Sequence, residues 1–168
     1  GVCFKEHRYL GDFLNAVRIF NAKKVPEIII LDIEASKLGR FINPELVRRI
    51  SSESFMPICV GGGICSVETA KALIAAGAEK VSLNSGAMQD PALITRLSEV
   101  CGSQAIIVSI DVRKNSRGEY EVYSRNGTVA TGLNPVDLAR KVEQLGAGEI
   151  LLNSIDRDGS MRGYDCEL

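Results

Sequence analysis

An α/β fold built from parallel strand-helix units, forming a segment of a (β/α)₈ barrel, is predicted by three observations in this chain of 168 residues. Short aliphatic runs alternate with segments of helical period along the whole length. Those runs are apolar on both faces, as strands of a helix-covered parallel sheet must be. The stretch NAVRIFNAKKVPEIIILDIEAS also aligns with DLARKVEQLGAGEILLNSIDRD, placing Arg18 on Arg140, Glu27 on Glu149 and Ile33 on Ile155, an offset of 122 residues. That offset spans four strand-helix units of roughly 30 residues each, the size of one βα element, so a barrel of two related halves is implied.

Taken in order, the strands are expected at 27–32, 57–60, 80–84, 106–111 and 149–153, with helices near 12–24, 43–52, 66–76, 91–101 and 135–145. Ser66 suits an N-cap, and Gly77 and Gly146 stand where helices end in the left-handed conformation. EYEVYSRNGTVATG alternates polar and apolar around an Asn126-Gly127 turn, which predicts a β-hairpin inserted after the fourth of these strands. A complete TIM barrel needs eight strands and about 250 residues. The five found here correspond to strands 2 to 6, with the hairpin after strand 5, so 1–168 is expected to be one partial barrel domain lacking the first strand and the last two βα units. Such an open piece exposes two apolar edges. An open Rossmann-like or flavodoxin-like sheet is the alternative that tolerates edges.

Composition limits the functions available. Twenty basic and 21 acidic residues leave a net charge of -1, and no basic stripe interleaved with aromatics occurs, so nucleic acid is not an expected partner. Runs such as IIIL and AIIVSI are too short to span a membrane, and no secretory signal opens the chain; a cytoplasmic protein is expected. The five cysteines form no CxxC pair and His7 is the only histidine, so neither a zinc centre nor a histidine-dependent triad is expected. No metal and no cofactor are predicted. Carboxylates, lysines and backbone groups must carry any chemistry.

In parallel βα folds ligands gather beyond the C-terminal strand ends. Here these ends are Asp32, the run Gly61, Gly62 and Gly63, the pair Asn84 and Ser85, Asp111, and the stretch from Asn153 to Ser160. Glycines between a strand and a capped helix let backbone N–H groups approach an anion, or make a tight turn and nothing more. Asp158, Gly159 and Ser160 repeat the same elements after the last strand, so a substrate with a phosphate at each end would fit, with a capped surface turn as the alternative. Asp111, closing IIVSID, is the best candidate for a general acid or base, although a cap or an ion pair with Arg113 or Lys114 fits the spacing equally. Asp32 and Asn153 are read as substrate-supporting residues. At the opposite rim Glu27, Lys80 and Glu149 begin three strands, where charges are ordinarily just solvated.

VGGGI, GAEKVSLNS, VSIDVR, the hairpin followed by TG, and GAGEILLNSIDRDGSMRGYD together resemble the cyclase subunit of imidazole glycerol phosphate synthase, in order and across nearly the whole chain. The resemblance implies a twofold-repeated (β/α)₈ barrel that takes ammonia from a separate glutaminase subunit. With it the enzyme cleaves and cyclises a phosphoribosyl aminoimidazole carboxamide ribotide, giving imidazole glycerol phosphate and the aminoimidazole ribotide. It further implies that Asp111 is catalytic, that Gly63, Asn84 and Ser85 hold one substrate phosphate, and that Asp158 and Gly159 belong to the site for the other. Glu27, Lys80 and Glu149 match a charged gate for ammonia. A second catalytic aspartate is implied on a strand before residue 1, and part of the second phosphate site beyond Leu168. Asn153 stands where the family usually has threonine, and HRYLGDFLNAVRIFN is similar to a subgroup that delivers ammonia to a surface-saccharide precursor, which is the alternative reading of function. A non-catalytic phosphate-binding partner that activates a glutaminase is a further one.

Overall fold

The computed structural model describes residues 1–5, 9 and 11–168. His7 and part of the HRYLG stretch lie outside the described residues. Five parallel strands make the sheet: β1 (Ile28–Leu31), β2 (Ile58–Gly61), β3 (Lys80–Leu83), β4 (Ile106–Lys114) and, at the far edge, β7 (Glu149–Ser154). Between them run α1 (Phe13–Ala22) ahead of β1, α2 (Pro44–Glu53), α3 (Val67–Ala75), α5 (Ala92–Cys101) and α6 (Pro135–Gln144). Neighbouring staves joined in chain order by helices are the expected partial (β/α)₈ barrel, a curled sheet rather than an open doubly wound one.

The helices begin where short polar side chains satisfy their first N–H groups. Asp12 accepts from Leu14, Asn43 from Glu45, Ser66 from Thr69, and Asn134 from both Val136 and Asp137. The repeat is borne out element by element. Shifted by 122 residues, α1 coincides with α6 end for end, and their caps Asp12 and Asn134 coincide as well.

Strand alternation then sorts side chains to two faces. In β4, Ile106, Val108, Ile110 and Val112 join the core under the helices with Val60, Leu73, Val81, Leu83, Leu93 and Leu97. Ile107, Ser109 and Asp111 point the other way, into the curve of the sheet. Register carries that inner face across the strands: Ile29 lies beside Cys59, Cys59 beside Lys80, Ser82 beside Ile107, and Asp111 beside Asn153. The two edges are apolar and open, as expected, with Ile29 and Leu31 exposed on β1 and Ile150 and Leu152 exposed on β7.

Two features depart from the sequence expectation. Strand β4 runs three residues beyond 111, to Lys114, because the hairpin strand β5 (Tyr120–Ser124) pairs antiparallel with its last four residues, directly beyond the end of β3. The insertion is thus a three-stranded meander that includes β6 (Val129–Ala130), and its turn is longer than an Asn-Gly pair, with Arg125, Asn126 and Gly127 all at positive φ. A short helix α4 (Ser85–Gln89) also follows β3, where a loop was expected. No helix among the described residues is long and apolar enough to cross a membrane.

Leu97 is fully buried between α5 and the sheet. Leu97→Ala is expected to lower unfolding stability by about 2 to 5 kcal/mol, seen in urea titration as a lower midpoint with unchanged slope.

Candidate functional site

The inner face ends in a cavity of about 330 Å³ at the C-terminal side of the sheet, lined by residues from every strand-end loop. Sequence-predicted residues meet there: Asp32, Gly62, Gly63, Asn84, Ser85, Asp111, Asn153 and Asp158 all line it. Gly159 does not; it lines a neighbouring cavity of about 480 Å³ that shares Asn153 and Asp158 with the first. Ser160 lies in the same turn, its hydroxyl donating to the carbonyl of Arg157 at 2.7 Å.

Asp111 is the centre of the arrangement. Its side chain is buried, with only 6% of the residue exposed, and no lysine or arginine pairs with it among the described residues. Arg113 and Lys114, the alternative partners, are engaged instead by Asp156 at 3.7 Å and Glu167 at 3.0 Å. Three neutral donors replace a cation. The amide of Asn84 donates to Oδ2 at 3.0 Å, that of Asn153 to Oδ1 at 2.8 Å, and the Ser109 hydroxyl approaches Oδ1 at 3.4 Å. Burial pushes the carboxyl pKa up from its ordinary 3.8, the Asn153, Ser109 and Asn84 donors oppose that, and Asp158 adds to the rise.

Several predicted residues also have partners within the chain itself. Asn84, considered for a phosphate, spends its Nδ2 on Asp111 and on the Ser109 carbonyl at 3.0 Å. Asp32 is bound by Arg40 and caps its own loop, accepting from the Glu34 N–H at 3.1 Å. At Gly63, φ is +69°, and a Cβ would come within 1.9 Å of the Arg40 carbonyl. What that glycine admits so closely is the chain's own backbone, so the tight-turn reading is part of its explanation. Gly159, at φ +65°, admits the carbonyl of Gly1 in the same way.

The charged run after β7 is likewise organised by specific partners. Asp156 accepts the Lys114 N–H at 3.1 Å, and the Asp158 carbonyl accepts the Cys3 N–H at 2.9 Å. Asp165 accepts from Tyr120 at 2.8 Å and Ser154 at 2.9 Å, tying the run to the meander.

At the opposite end of the inner face Lys80 bridges two carboxylates, Glu27 at 3.1 Å and Glu149 at 2.6 Å. The Glu149 hydrogen bond is the main reason its pKa is raised. One oxygen of Glu27 is buried without a partner. Directly beside Lys80 in register lies Cys59, fully buried, its thiol pushed up to about 12 chiefly by burial and further by Glu27. The three rim charges thus form one linked group, not separate solvated side chains.

Sequence reasoning missed Ser82, Ser109, Arg40 and Asn126. The two serines could have been found, since 107, 109 and 111 alternate on one face of a strand. Asn126 reaches the cavity only because the meander folds over it to donate to the Ile33 carbonyl. No cluster suited to a metal ion occurs among the described residues.

The model of the histidine biosynthesis protein family matches residues 1–168. The chain is 49% identical over 164 residues to the putative imidazole glycerol phosphate synthase subunit hisF2 of Pseudomonas aeruginosa, covering 98% of this chain and 65% of that protein. It is 47% identical over 168 residues to the imidazole glycerol phosphate synthase subunit HisF of Alkaliphilus metalliredigens, covering 100% and 67%, and 46% identical over 165 residues to that of Chloroherpeton thalassium, covering 98% and 65%. The chain thus spans about two thirds of the length of these relatives.

The raised pKa of Asp111 has a definite sign in stability. In the unfolded chain the group ionises near 3.8, whereas the folded protein resists ionisation, so folding loses stability as pH rises from 3.8 through the folded value. The stability difference between the native protein and Asp111→Asn should therefore move in favour of the variant across that window. Urea titrations at a series of pH values measure it, and a difference that stays flat would contradict the raised pKa.

Proposed function

The chain belongs to the histidine biosynthesis protein family, and on that premise we propose that it is the cyclase part of imidazole glycerol phosphate synthase. In this reading it receives ammonia from a glutaminase subunit and converts the phosphoribosyl aminoimidazole carboxamide ribotide to imidazole glycerol phosphate and aminoimidazole carboxamide ribotide. Residues 1–168 act as a single unit of a larger barrel, in a cytoplasmic enzyme. The relatives named above carry the synthase name and none refers to a saccharide, so the surface-saccharide alternative gains no support.

One observation carries the proposal. A carboxyl whose pKa is raised by burial stands on the floor of the cavity, on the same inner face that Lys80, Glu27 and Glu149 close at its other end. A carboxyl whose pKa is raised holds a proton more readily than an ordinary one, which suits a group that takes a proton and returns it. Asp111 is assigned that role. Asp32 and Asn153 support the site around it, Gly62, Gly63, Asn84 and Ser85 border the place of one phosphate, and Asp158, Gly159 and Ser160 border the other. Among the described residues the cavity lining contains three aspartates and no lysine or arginine, so the phosphate contacts this part of the chain offers are backbone N–H groups at the loop and helix starts. Glu27, Lys80 and Glu149 are assigned to the ammonia entrance, which requires that their linked ion pairs open.

With ammonium salt and the carboxamide ribotide, the full-length protein is expected to turn over. Asp111→Asn should reduce kcat by on the order of 10²-fold or more, with KM changed little, because shape is kept and proton transfer is removed. Binding of the ribotide without any turnover by a folded native protein would sink the cyclase reading.

The entrance has a separate test. Lys80→Ala or Glu149→Ala should impair glutamine-driven turnover, measured with the glutaminase subunit present, more than ammonia-driven turnover. Equal losses in the two assays would remove these residues from the route.

A further inference from the structure

We propose that Asn153 is a positioning residue: together with Asn84 it clamps the Asp111 carboxylate by both oxygens, leaving Oδ2 as the oxygen that exchanges a proton with a ligand in the cavity. This rests on the acid-base role proposed for Asp111.

The orientation of Asn84 is fixed independently of Asp111. Its Nδ2 lies 3.0 Å from the backbone carbonyl of Ser109, an atom that can only accept, so the group facing Asp111 Oδ2 must be N–H. Asn153 Nδ2 sits 2.8 Å from Asp111 Oδ1 and 3.2 Å from the Ser109 hydroxyl. An amide nitrogen cannot accept. A proton placed on Oδ1 toward Asn153 would meet a second donor, while the other lone pair of Oδ1 faces the Ser109 hydroxyl at 3.4 Å. Oδ2 has a single protein donor, Asn84, and so one lone pair left over. Protonating Oδ1 would require the Ser109 hydroxyl to turn from donor to acceptor, whereas Oδ2 takes the proton with every other hydrogen bond kept, so Oδ2 is the oxygen assigned to the neutral acid. In the transfer, a proton on the ligand passes to that lone pair, Asp111 becomes neutral, and the same oxygen gives the proton back.

The charged surroundings do not stabilise the carboxylate. Asp158, from the loop after β7, is a like charge, and Asp32, from the loop after β1, is already bound by Arg40. The loops after β2 and β3 contribute glycines, Ile64, Asn84 and Ser85 to the cavity, with no charge among them. From the meander come Asn126 in the cavity and Tyr123 in register, while Arg113 on β4 itself is engaged by Asp156 and lies over the Tyr123 ring. With no cation in contact among the described residues, the two amides and one hydroxyl are what favour the charged form against burial. The Asn153 bond is the shortest of the three, so its loss should matter most.

The test follows Asp111 by NMR in full-length protein labelled with ¹³C at the aspartate carboxyl, assigned by comparison with Asp111→Asn. Asn153→Leu keeps the side-chain size and removes the donor. It is expected to raise the Asp111 titration midpoint by about one pH unit or more, a tenfold weaker acid, and Ser109→Ala by less. Asn153→Ala replaces leucine if that variant does not fold. Where turnover is measurable, the limb of the pH–rate profile that reports Asp111 should move up with it, since loss of the donor raises the midpoint whether the group acts as acid or base. A midpoint within about 0.3 pH unit of the native value in a folded Asn153 variant, or a larger effect from Ser109→Ala, would overturn the clamp. The titration needs no substrate. A failed clamp shows as an unmoved midpoint, whereas a wrong cyclase assignment shows as absent turnover in the native protein.

Discussion

Strand β4 cannot leave a backbone group unpaired, because both of its faces are buried, and that requirement organises the rest of the molecule. Along one side β7 pairs with it from Ile107 to Val112. Along the other, β3 reaches only as far as Val108, and the meander strand β5 takes over from Asp111. The insertion therefore extends the sheet beyond the end of its neighbour. Asp111 falls where the two arrangements meet, in register with Asn153 on one side and Tyr123 on the other. A buried carboxyl needs donors, and those that reach it come from β4 itself, from the end of β3 and from β7.

How much of this was legible in the sequence depends on the range of the interaction concerned. Strands and helices follow from local period and capping, so their order and type were readable, with ends displaced by at most three residues. The 122-residue repeat was readable for the same reason and predicted that α1 and α6 would match. The inner-face grouping of Glu27, Lys80 and Glu149 needed only that each begins a strand. By contrast, the bond from Asn153 to Asp111 joins residues 42 apart and depends on parallel register, which no local pattern fixes. Arg40 meeting Asp32 depends on the path of a loop, and Asn126 meeting the Ile33 carbonyl on how the meander leans across the sheet. Glycine gave a mixed signal. Gly63 and Gly159 border the cavities as expected, but the atoms closest to their missing Cβ positions are backbone carbonyls of this chain.

The cavity joins two demands that ordinarily conflict. Anionic ends of a substrate favour cationic walls, yet a cation beside Asp111 would lower its pKa and weaken it as a proton acceptor. A lining with no lysine or arginine among the described residues resolves the conflict if phosphate is met by backbone N–H groups, which carry partial rather than full charge. The charge of Arg40, beside the cavity, is paired with Asp32. The same economy of charge explains why Asp111 is held by amides: they orient it without fixing it as a permanent anion.

Between the two ends of the inner face, Glu149 stands in register with Ile107 and Asn153 with Asp111, four residues further along β4. At about 3.3 Å per residue the ion-paired rim and Asp111 are separated by roughly 13 Å. The inner-face residues on the way are Cys59, Ile107, Ser82, Ser109 and Leu151, none carrying charge at neutral pH, since the Cys59 thiol is pushed up to about 12. Along such a face a neutral molecule is favoured over an ion, because an ammonium would surrender its hydration with no carboxylate between the rim and Asp111 among these residues to replace it. A thiol of ordinary acidity would not secure this as well. Placed beside Lys80, it could ionise and hold a cation next to the rim; burial and the carboxylates of Glu27 and Glu149 keep it neutral. The carboxylates at the rim thus do more than pair with Lys80. By disfavouring any further negative charge next to them, they keep the proposed route for ammonia uncharged up to the carboxyl that would manage its protons.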